Sequence, residues 1–99
     1  MKRPKIYISG KRTGDPNYKE KFASIQKDLE SEGYIILNPA VLPQDLSNED
    51  LMRICFAMID TADAVAFIDG FTDSPGAMLE LEYCKYTKKG AFLVSRKEK

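Results

Sequence analysis

The chain has 99 residues, enough for one domain with one hydrophobic core, so residues 1–99 are treated as a single domain. Fifteen basic and fifteen acidic residues balance to a net charge of zero, which argues against a nucleic-acid partner, because such proteins usually carry a basic excess. The sequence has no histidine, which excludes Ser-His and Cys-His nucleophile pairs and most zinc sites. We therefore expect no metal and no cofactor, and any catalysis must use carboxylates, tyrosines, lysines or backbone groups.

The first half of the chain predicts a strand, a helix and a second strand. A β-rich run at 5–9 ends at Gly10, and a loop follows to Pro16. Apolar residues at helical spacing predict a helix over 16–32, because Pro16 suits a first turn and Gly33 lies just past the end. Strand two is predicted at 34–37, and a proline-containing loop covers 38–48.

The second half predicts two further helices and two further strands. Ser47 is a suitable N-cap for a helix that reaches Thr61 and is apolar nearly all round, so this helix is either deeply buried or shared with another subunit. The apolar run at 64–68 suits a strand covered on both faces. After a loop at 69–73, Ser74 caps a last helix that runs to about Lys88 and is stopped by Gly90, and strand four is predicted at 91–95.

This alternation predicts an α/β fold: a flavodoxin-like open parallel sheet of four strands in the order 2-1-3-4, with helices on both faces. Ligands of such sheets bind at the carboxyl ends of the strands, beside the point where the strand order reverses. The loops at 10–16 and 69–76 meet at that point, and the following helices direct their positive N-terminal ends toward it.

Sequence features also bear on the location of the protein. No apolar run approaches the ~20 residues that cross a membrane, and a predicted strand starts already at Lys5, so we expect neither a membrane partner nor a signal peptide. Cys55 and Cys84 stand alone, as is typical of thiols in a reducing compartment. We therefore expect a cytoplasmic protein. The basic residues near both ends are interpreted as solvated termini: Lys2, Arg3, Lys5, Lys88, Lys89, Arg96, Lys97 and Lys99.

Glu80 is the strongest candidate for chemistry. On a helical wheel Ala77, Leu81, Cys84 and Lys88 share the face expected to contact the sheet, and Glu80 lies beside it, near the helix N-terminus. A carboxylate in that position is expected to stay ionised and to point toward the crevice. A glutamate that only complements the helix dipole is the alternative.

Other candidates surround the predicted crevice. Tyr7 could bring its hydroxyl close to Glu80, although simple packing would also explain a tyrosine in a strand. The first loop offers backbone N–H groups and two cations for a phosphate, without the spacing of a known glycine-rich motif. Turn and cap chemistry alone could account for the acidic residues and the serine on the other side. The candidate ligand-binding residues are Ser9, Gly10, Lys11, Arg12, Gly14, Asp69, Asp73, Ser74 and Gly76.

A second stripe on the last helix, formed by Leu79, Tyr83 and Tyr86, lies opposite the core face. Exposed aromatic surface of this kind often marks an interface. Together with the apolar second helix, it predicts a homodimer or higher homo-oligomer.

Several segments together resemble one known superfamily. The segments are Lys5-Ile-Tyr-Ile-Ser-Gly10, Gly33-Tyr34 with Asn38-Pro39, Met52-Arg53, Asp63-Ala-Val65 and Asp73-Ser-Pro-Gly-Ala-x-x-Glu80. They cover nearly the whole chain and resemble the nucleoside 2-deoxyribosyltransferase-like superfamily, in particular a small phage and bacterial branch that is a domain-of-unknown-function family.

The resemblance implies a flavodoxin-like fold and cleavage of the N-glycosidic bond of a nucleoside or nucleotide. It makes Glu80 the nucleophile and Tyr7 the residue that positions it. It also implies that Ser74 contacts a 5′-phosphate, and that Gly10 and Gly14 belong to the loop around the sugar-phosphate end.

Three departures from the family pattern favour binding over catalysis, and one of them is the arrangement of Lys11 and Arg12 in the first loop, which differs from the hydrolase pattern. An aspartate that active members carry on the second helix falls on Cys55, and a thiol does not replace a carboxylate as a proton carrier at neutral pH. The C-terminal segment of larger members, which completes the pocket of a neighbouring subunit, has no counterpart after strand four. We therefore hold two main hypotheses: an N-glycosidase or deoxyribosyltransferase-like enzyme acting on a nucleoside 5′-monophosphate-type ligand, and a non-catalytic module that binds or sequesters the same small molecule. A purely structural oligomerisation domain ranks last.

Overall fold

Four parallel strands form a single sheet in the computed structural model, which describes residues 3–95. The strands are β1 (Lys5–Ser9), β2 (Ile35–Leu37), β3 (Ala64–Ile68) and β4 (Gly90–Val94), and their order in the sheet is β2-β1-β3-β4. This order confirms the predicted flavodoxin-like topology. The predicted solvated termini lie partly outside the described residues, since Lys2, Arg96, Lys97 and Lys99 are not among them.

Three helices connect the strands: α1 (Tyr18–Ser31), α2 (Asn48–Thr61) and α3 (Pro75–Thr87). α1 begins two residues later than the predicted Pro16, because the Asp15 carboxylate accepts the backbone N–H of Asn17 at 2.9 Å and closes a turn before the helix. The loops predicted as irregular also contain short 3₁₀ turns, at Pro39–Val41 and Phe71–Asp73.

The end of α3 differs from the prediction. Lys88 adopts the left-handed conformation with φ 60°, and the backbone N–H of Lys89 bonds to the Cys84 carbonyl. Lys88 therefore occupies the position that glycine usually takes after a helix. Gly90, expected to stop the helix, is instead the first residue of β4.

The two faces of the sheet bury different helices. Ile6 and Ile8 face α1, whose buried residues are Phe22, Ile25 and Leu29. Tyr7 alternates with these isoleucines and packs in a second cluster with Cys55 of α2 and Cys84 of α3. Because side chains two positions apart on a strand share a face, Tyr7 and Ser9 both face α2 and α3.

α2 is only half-buried in the described structure, which contradicts the first of the two predicted alternatives, a deeply buried helix, and leaves a helix shared with another subunit as a prediction. Only Cys55 and Ile59 are buried in it, while the remaining large apolar residues are half-buried: Leu51, Met52, Ile54, Phe56 and Met58. Within residues 3–95, no helix has the length and apolar character needed to cross a membrane.

The predicted stripe on α3 is only partly exposed. The Tyr83 ring stacks on Phe56 of α2 with ring centroids 4.4 Å apart, and its hydroxyl donates to Asp60 at 2.6 Å. Tyr83 is therefore a contact between the two helices, which a single helical wheel does not reveal. Leu79 and Tyr86 remain exposed, with 51% and 90% of their surface accessible.

Candidate functional site

The first and third β-to-α loops meet at one edge of the sheet. β1 and β3 pair in register with Ser9 opposite Phe67, so the two strands end at nearly the same level of the sheet. Between the loops and the first turns of α2 and α3 lies a cavity of about 630 Å³. Its lining includes these candidate residues: Tyr7, Gly10, Lys11, Arg12, Cys55, Asp73, Ser74, Gly76 and Glu80.

Glu80 lies on the buried face of α3 and lines the cavity with only 6% of its surface exposed. Its neighbours on that face are Ala77 and Cys84, whereas Leu81 is half-buried and Lys88 is exposed. The predicted position beside the buried face is therefore wrong. The contact face of α3 is rotated, and the glutamate points between the helix and the sheet.

Two hydroxyl groups of β1 hold the Glu80 carboxylate. The Tyr7 hydroxyl lies 3.2 Å from both carboxylate oxygens, and the Ser9 hydroxyl donates to Oε1 at 2.7 Å. Tyr7 and Ser9 are themselves almost fully buried, at 1% exposure each. The predicted proximity of the Tyr7 hydroxyl to Glu80 is present, and the carboxylate is fixed in one orientation.

Burial raises the pKa of the Glu80 carboxyl group above its usual 4.5. The hydrogen bonds from Ser9 and Tyr7 and the charge of Arg12 oppose this effect, because each favours the ionised form. Burial, reinforced by the nearby Glu80 charge, raises the pKa of Tyr7 well above 10.0. Tyr7 therefore stays protonated and acts as a hydrogen-bond donor.

Cys55 of α2 lines the same cavity and is buried, with 3% of its surface exposed. It belongs to the buried cluster that contains Tyr7, and burial raises the pKa of its thiol above 9.0. A protonated, buried thiol can donate only a weak hydrogen bond. This position therefore offers no second carboxylate beside Glu80.

Arg12 brings a positive charge to the rim of the cavity. Its guanidinium carbon lies 5.3 Å from the centre of the Tyr18 ring, a cation–π arrangement. Its Nε and Nη1 atoms are buried and have no hydrogen-bond partner among residues 3–95. Buried donors without a partner are costly, so this side chain is suited to an acceptor supplied by a ligand.

The start of α3 supplies further groups to the cavity. The Ser74 hydroxyl accepts the backbone N–H of Ala77 at 3.2 Å, which confirms its predicted role as N-cap. Ser74 also lines the cavity together with Asp73 and Gly76. Turn and cap chemistry therefore explains the conformation of Ser74, but its position additionally exposes it to a bound molecule.

Gly10 leaves β1 where the chain passes close to β3. A Cβ atom at this position would lie 3.1 Å from the side chain of Ile68, so a larger residue would displace its neighbour. Gly14 has φ +84°, a conformation that favours glycine, in the turn that follows Arg12. Both glycines shape the first loop.

Three predicted ligand-binding residues lie away from the cavity surface. Ser9 contacts the Glu80 carboxylate, Gly14 lines a neighbouring hollow, and Asp69 is exposed directly after β3 and lines neither space. The Asp69 backbone N–H instead bonds to the Val94 carbonyl at 2.8 Å. The structure therefore does not bring these three residues into direct reach of a molecule in the cavity.

Sequence reasoning missed the rest of the cavity lining, which is mostly apolar. The additional lining residues are Thr13, Phe22, Pro39, Asn48, Leu51, Met52, Pro75, Ala77 and Leu79. The only available signal was the Met52-Arg53 segment within the resemblance, since no periodicity reveals which face of α2 overlies the carboxyl edge of the sheet.

Comparisons with known proteins agree with this architecture. A search of curated proteins finds no match. Among solved structures, a 2-deoxyribosyltransferase from the psychrotolerant bacterium Bacillus psychrosaccharolyticus is similar, with a TM-score of 0.71 and 20% identity over 96% of this chain and 74% of that chain. This likeness confirms the nucleoside 2-deoxyribosyltransferase-like fold that the resemblance implied. A family model described as Domain of unknown function (DUF4406) matches residues 4–92. Since that match covers most of the chain, the protein belongs to the DUF4406 family of domains, with the fold of the 2-deoxyribosyltransferases.

Proposed function

We propose that this protein binds a nucleoside 5′-phosphate in the cavity and cleaves its N-glycosidic bond, with Glu80 as the nucleophile. The observation that carries the proposal is the Glu80 carboxylate, which is buried, lines the cavity and is fixed by the hydroxyl groups of Tyr7 and Ser9. Burying a carboxyl group is unfavourable for folding, and perturbed carboxyl groups in clefts are typical of catalytic sites.

The solved relative supports the type of chemistry. That protein is a 2-deoxyribosyltransferase described as a biocatalyst for the synthesis of nucleosides. In the proposed reaction, a Glu80 oxygen bonds to the anomeric carbon while the bond to the base breaks and its electron pair leaves with the base. Water then attacks the same carbon, the bond to Glu80 breaks, and the proton released from water balances the charge on the base.

The rim of the cavity suits the phosphate end of such a ligand. Lys11 and Arg12 supply positive charge, and the N-terminus of α3 begins beside Ser74. Helix N-termini and guanidinium groups are common phosphate ligands. Placing the phosphate here leaves the sugar over Glu80 and the base against the apolar wall formed by Leu51 and Met52.

The test is release of free base from a panel of 2′-deoxynucleosides, their 5′-monophosphates and the matching ribonucleotides. We expect wild type to release base from at least one phosphorylated member and Glu80→Gln to lose at least about 10³-fold in rate, because removing a nucleophile leaves only binding and electrostatic effects. Glu82→Gln, an exposed change on the same helix, should keep full activity. Equal base release by wild type and Glu80→Gln would overturn the proposal.

A second candidate function is a binding module without turnover. Cys55 favours it, because the thiol occupies the cavity wall near Glu80 and its raised pKa keeps it protonated. This alternative expects thermal stabilisation by a nucleotide, about 2.7 kcal/mol at a hundred times the dissociation constant, with no base released. Cys55→Asp restoring or increasing base release would favour a lost catalytic position at residue 55.

The two cysteines support a cytoplasmic setting for either function. Cys55 and Cys84 are both buried and unpaired, although both lie in the same cluster. Buried free thiols are compatible with a reducing compartment, where nucleotides are also available as ligands.

A further inference from the structure

A second hollow adjoins the cavity at Arg12. It has a volume of about 550 Å³ and includes Gly14, Asp15, Tyr18 and Gln44 in its lining. The hollow and the cavity share four lining residues: Arg12, Thr13, Asn48 and Leu51. The two spaces are therefore neighbours with Arg12 in a shared wall, and we refer to them together as the trough.

The unpartnered atoms of Arg12 point along different edges of its guanidinium group. Nη1 lies on the same side as Cδ, whereas the Nε–H bond points away from Cδ and shares its edge with Nη2. A single carboxylate or phosphate that binds one edge in a bidentate manner cannot also accept from the other. Since both Nε and Nη1 are buried without partners among the described residues, Arg12 is suited to two separate acceptors.

The charges around Arg12 permit a second anionic group. Asp15 is the carboxylate in the second hollow, but it already forms an ion pair with Lys21 at 3.3 Å and accepts the Asn17 backbone N–H. These contacts lower the pKa of Asp15 and partly neutralise its charge toward the hollow. The Gln44 amide, which donates to the Tyr18 hydroxyl at 3.0 Å, adds polar groups to the lining of the second hollow.

From this arrangement we propose that the ligand carries two linked phosphate groups: the trough takes a nucleoside 5′-diphosphate or an ester of one. The first phosphate binds on the cavity side of Arg12 and the second on the side of the second hollow. Any group esterified to the second phosphate then extends toward Tyr18 and Gln44. The inference rests on the proposed function, which places the nucleoside itself beside Glu80.

Isothermal titration calorimetry in metal-free buffer tests the proposal. The ligands form a matched series: 2′-deoxynucleosides, their 5′-monophosphates and their 5′-diphosphates. We expect the dissociation constant to fall at least about tenfold from the monophosphate to the diphosphate, because an extra charge-assisted contact forms on the second edge of Arg12. Arg12→Lys keeps the charge but loses the planar fork. This variant should bring the diphosphate close to the affinity of the monophosphate.

Gln44→Glu provides a variant in the second hollow alone. It should weaken diphosphate binding about threefold or more and leave monophosphate binding unchanged, because the added charge faces only the second phosphate. Lys27→Gln changes the net charge by the same amount from an exposed position on α1 outside both linings. It should affect both ligands equally.

The outcomes separate this inference from the proposed function. A diphosphate that binds no more tightly than the monophosphate overturns the inference, while monophosphate binding still supports the proposed site. Tight diphosphate binding without release of base supports the inference and contradicts the catalytic proposal. If neither the monophosphate nor the diphosphate binds at millimolar concentration, the inference and the proposed function are both wrong.

Discussion

At position 80 the fold places a carboxyl group where apolar packing would be more stable. The pKa of Glu80 is raised by burial, so the folded protein binds a proton there more readily than the unfolded chain does. Stability from this group is therefore fully present below pH 4.5 and is lost as the pH rises through the folded pKa. Glu80 is expected to lower the free energy of unfolding near neutral pH.

Glu80→Gln should accordingly raise the free energy of unfolding at neutral pH, by roughly 0.5–2 kcal/mol, because the variant removes a buried charge that opposes folding. The advantage of the variant should shrink as the pH falls toward 4.5, where wild type becomes protonated. Urea unfolding at a series of pH values measures both effects.

The matched control is Glu82→Gln on the exposed side of the same helix, where the glutamate pairs with Lys85 at 3.4 Å. An exposed pair of this kind contributes little, so its removal should change stability only slightly at every pH. A constant difference between Glu80→Gln and wild type across the pH range would contradict the raised pKa.

Ser9 affects the pKa of the same carboxyl group through a hydrogen bond from β1. Its hydrogen bond of 2.7 Å favours the ionised form of Glu80, so Ser9→Ala should raise the pKa of Glu80 further. The pH at which activity reaches half of its maximum on the acidic side should move upward, while activity at high pH is retained. A pH–rate profile measures the shift. Ser9→Thr, which keeps a hydroxyl group, should restore most of the wild-type profile.

The sequence predicted that Tyr7 and Glu80 lie close together, but it did not predict that Glu80 is buried. Tyr7 and Glu80 could be brought together from strand order and helix position alone. The burial of Glu80 could not, because it depends on how α3 is rotated against the sheet, and the Tyr83–Phe56 stack takes part in that packing. A helical wheel contains no information about the neighbouring helix.

At the scale of elements, two helices begin with a serine cap of the same type. The Ser47 hydroxyl accepts the Asp50 N–H at 3.1 Å, and the Ser74 hydroxyl accepts the Ala77 N–H at 3.2 Å. Either serine changed to alanine should cost about 1 kcal/mol of stability. Only Ser74 lines the cavity, so only Ser74→Ala should also weaken binding of a nucleoside 5′-phosphate.

Chemical unfolding and ligand titration of the two variants separate these roles. Equal loss of affinity in both variants would show that Ser74 acts only through the stability of its helix. No loss of affinity in Ser74→Ala would remove this serine from the proposed phosphate site.

The elements themselves were largely predictable, since strands, caps and proline positions are local features. The residues at which the elements begin and end were less predictable. α1 starts at Tyr18 because the Asp15 side chain forms a turn, and α3 ends through a left-handed Lys88 where the sequence suggested a glycine. Both depend on conformational choices that several residue types can make.

For the whole molecule, the strand order was predictable because right-handed crossovers leave few arrangements of four parallel strands. The cavity wall was not, since α2 contributes to it through Leu51 and Met52. The exposed Glu49, Arg53 and Asp60 lie on the solvent side of α2. The sequence does not indicate which of the remaining apolar residues overlie the carboxyl edge of the sheet.

Self-association is the remaining prediction at this scale. Tyr86 and Leu79 expose 90% and 51% of their surface on α3, and α2 leaves several apolar side chains half-exposed beside it. Such a patch favours an interface between copies of the chain. Sedimentation equilibrium should give a mass above 11.2 kDa that rises with concentration, and Tyr86→Lys should shift it toward the monomer. A monomer mass at every concentration would contradict this prediction.

In the proposed reaction the Glu80 carboxylate forms a bond to the sugar. Acid quenching during turnover of a 2′-deoxynucleoside 5′-phosphate, followed by peptide mapping, detects that bond directly. In wild type we expect the peptide that contains Glu80 to carry the sugar 5-phosphate, joined to the carboxylate by an ester bond at the anomeric carbon. In Glu80→Gln we expect no such ester. An ester on a different residue, or base release by Glu80→Gln at the wild-type rate, would contradict the claim.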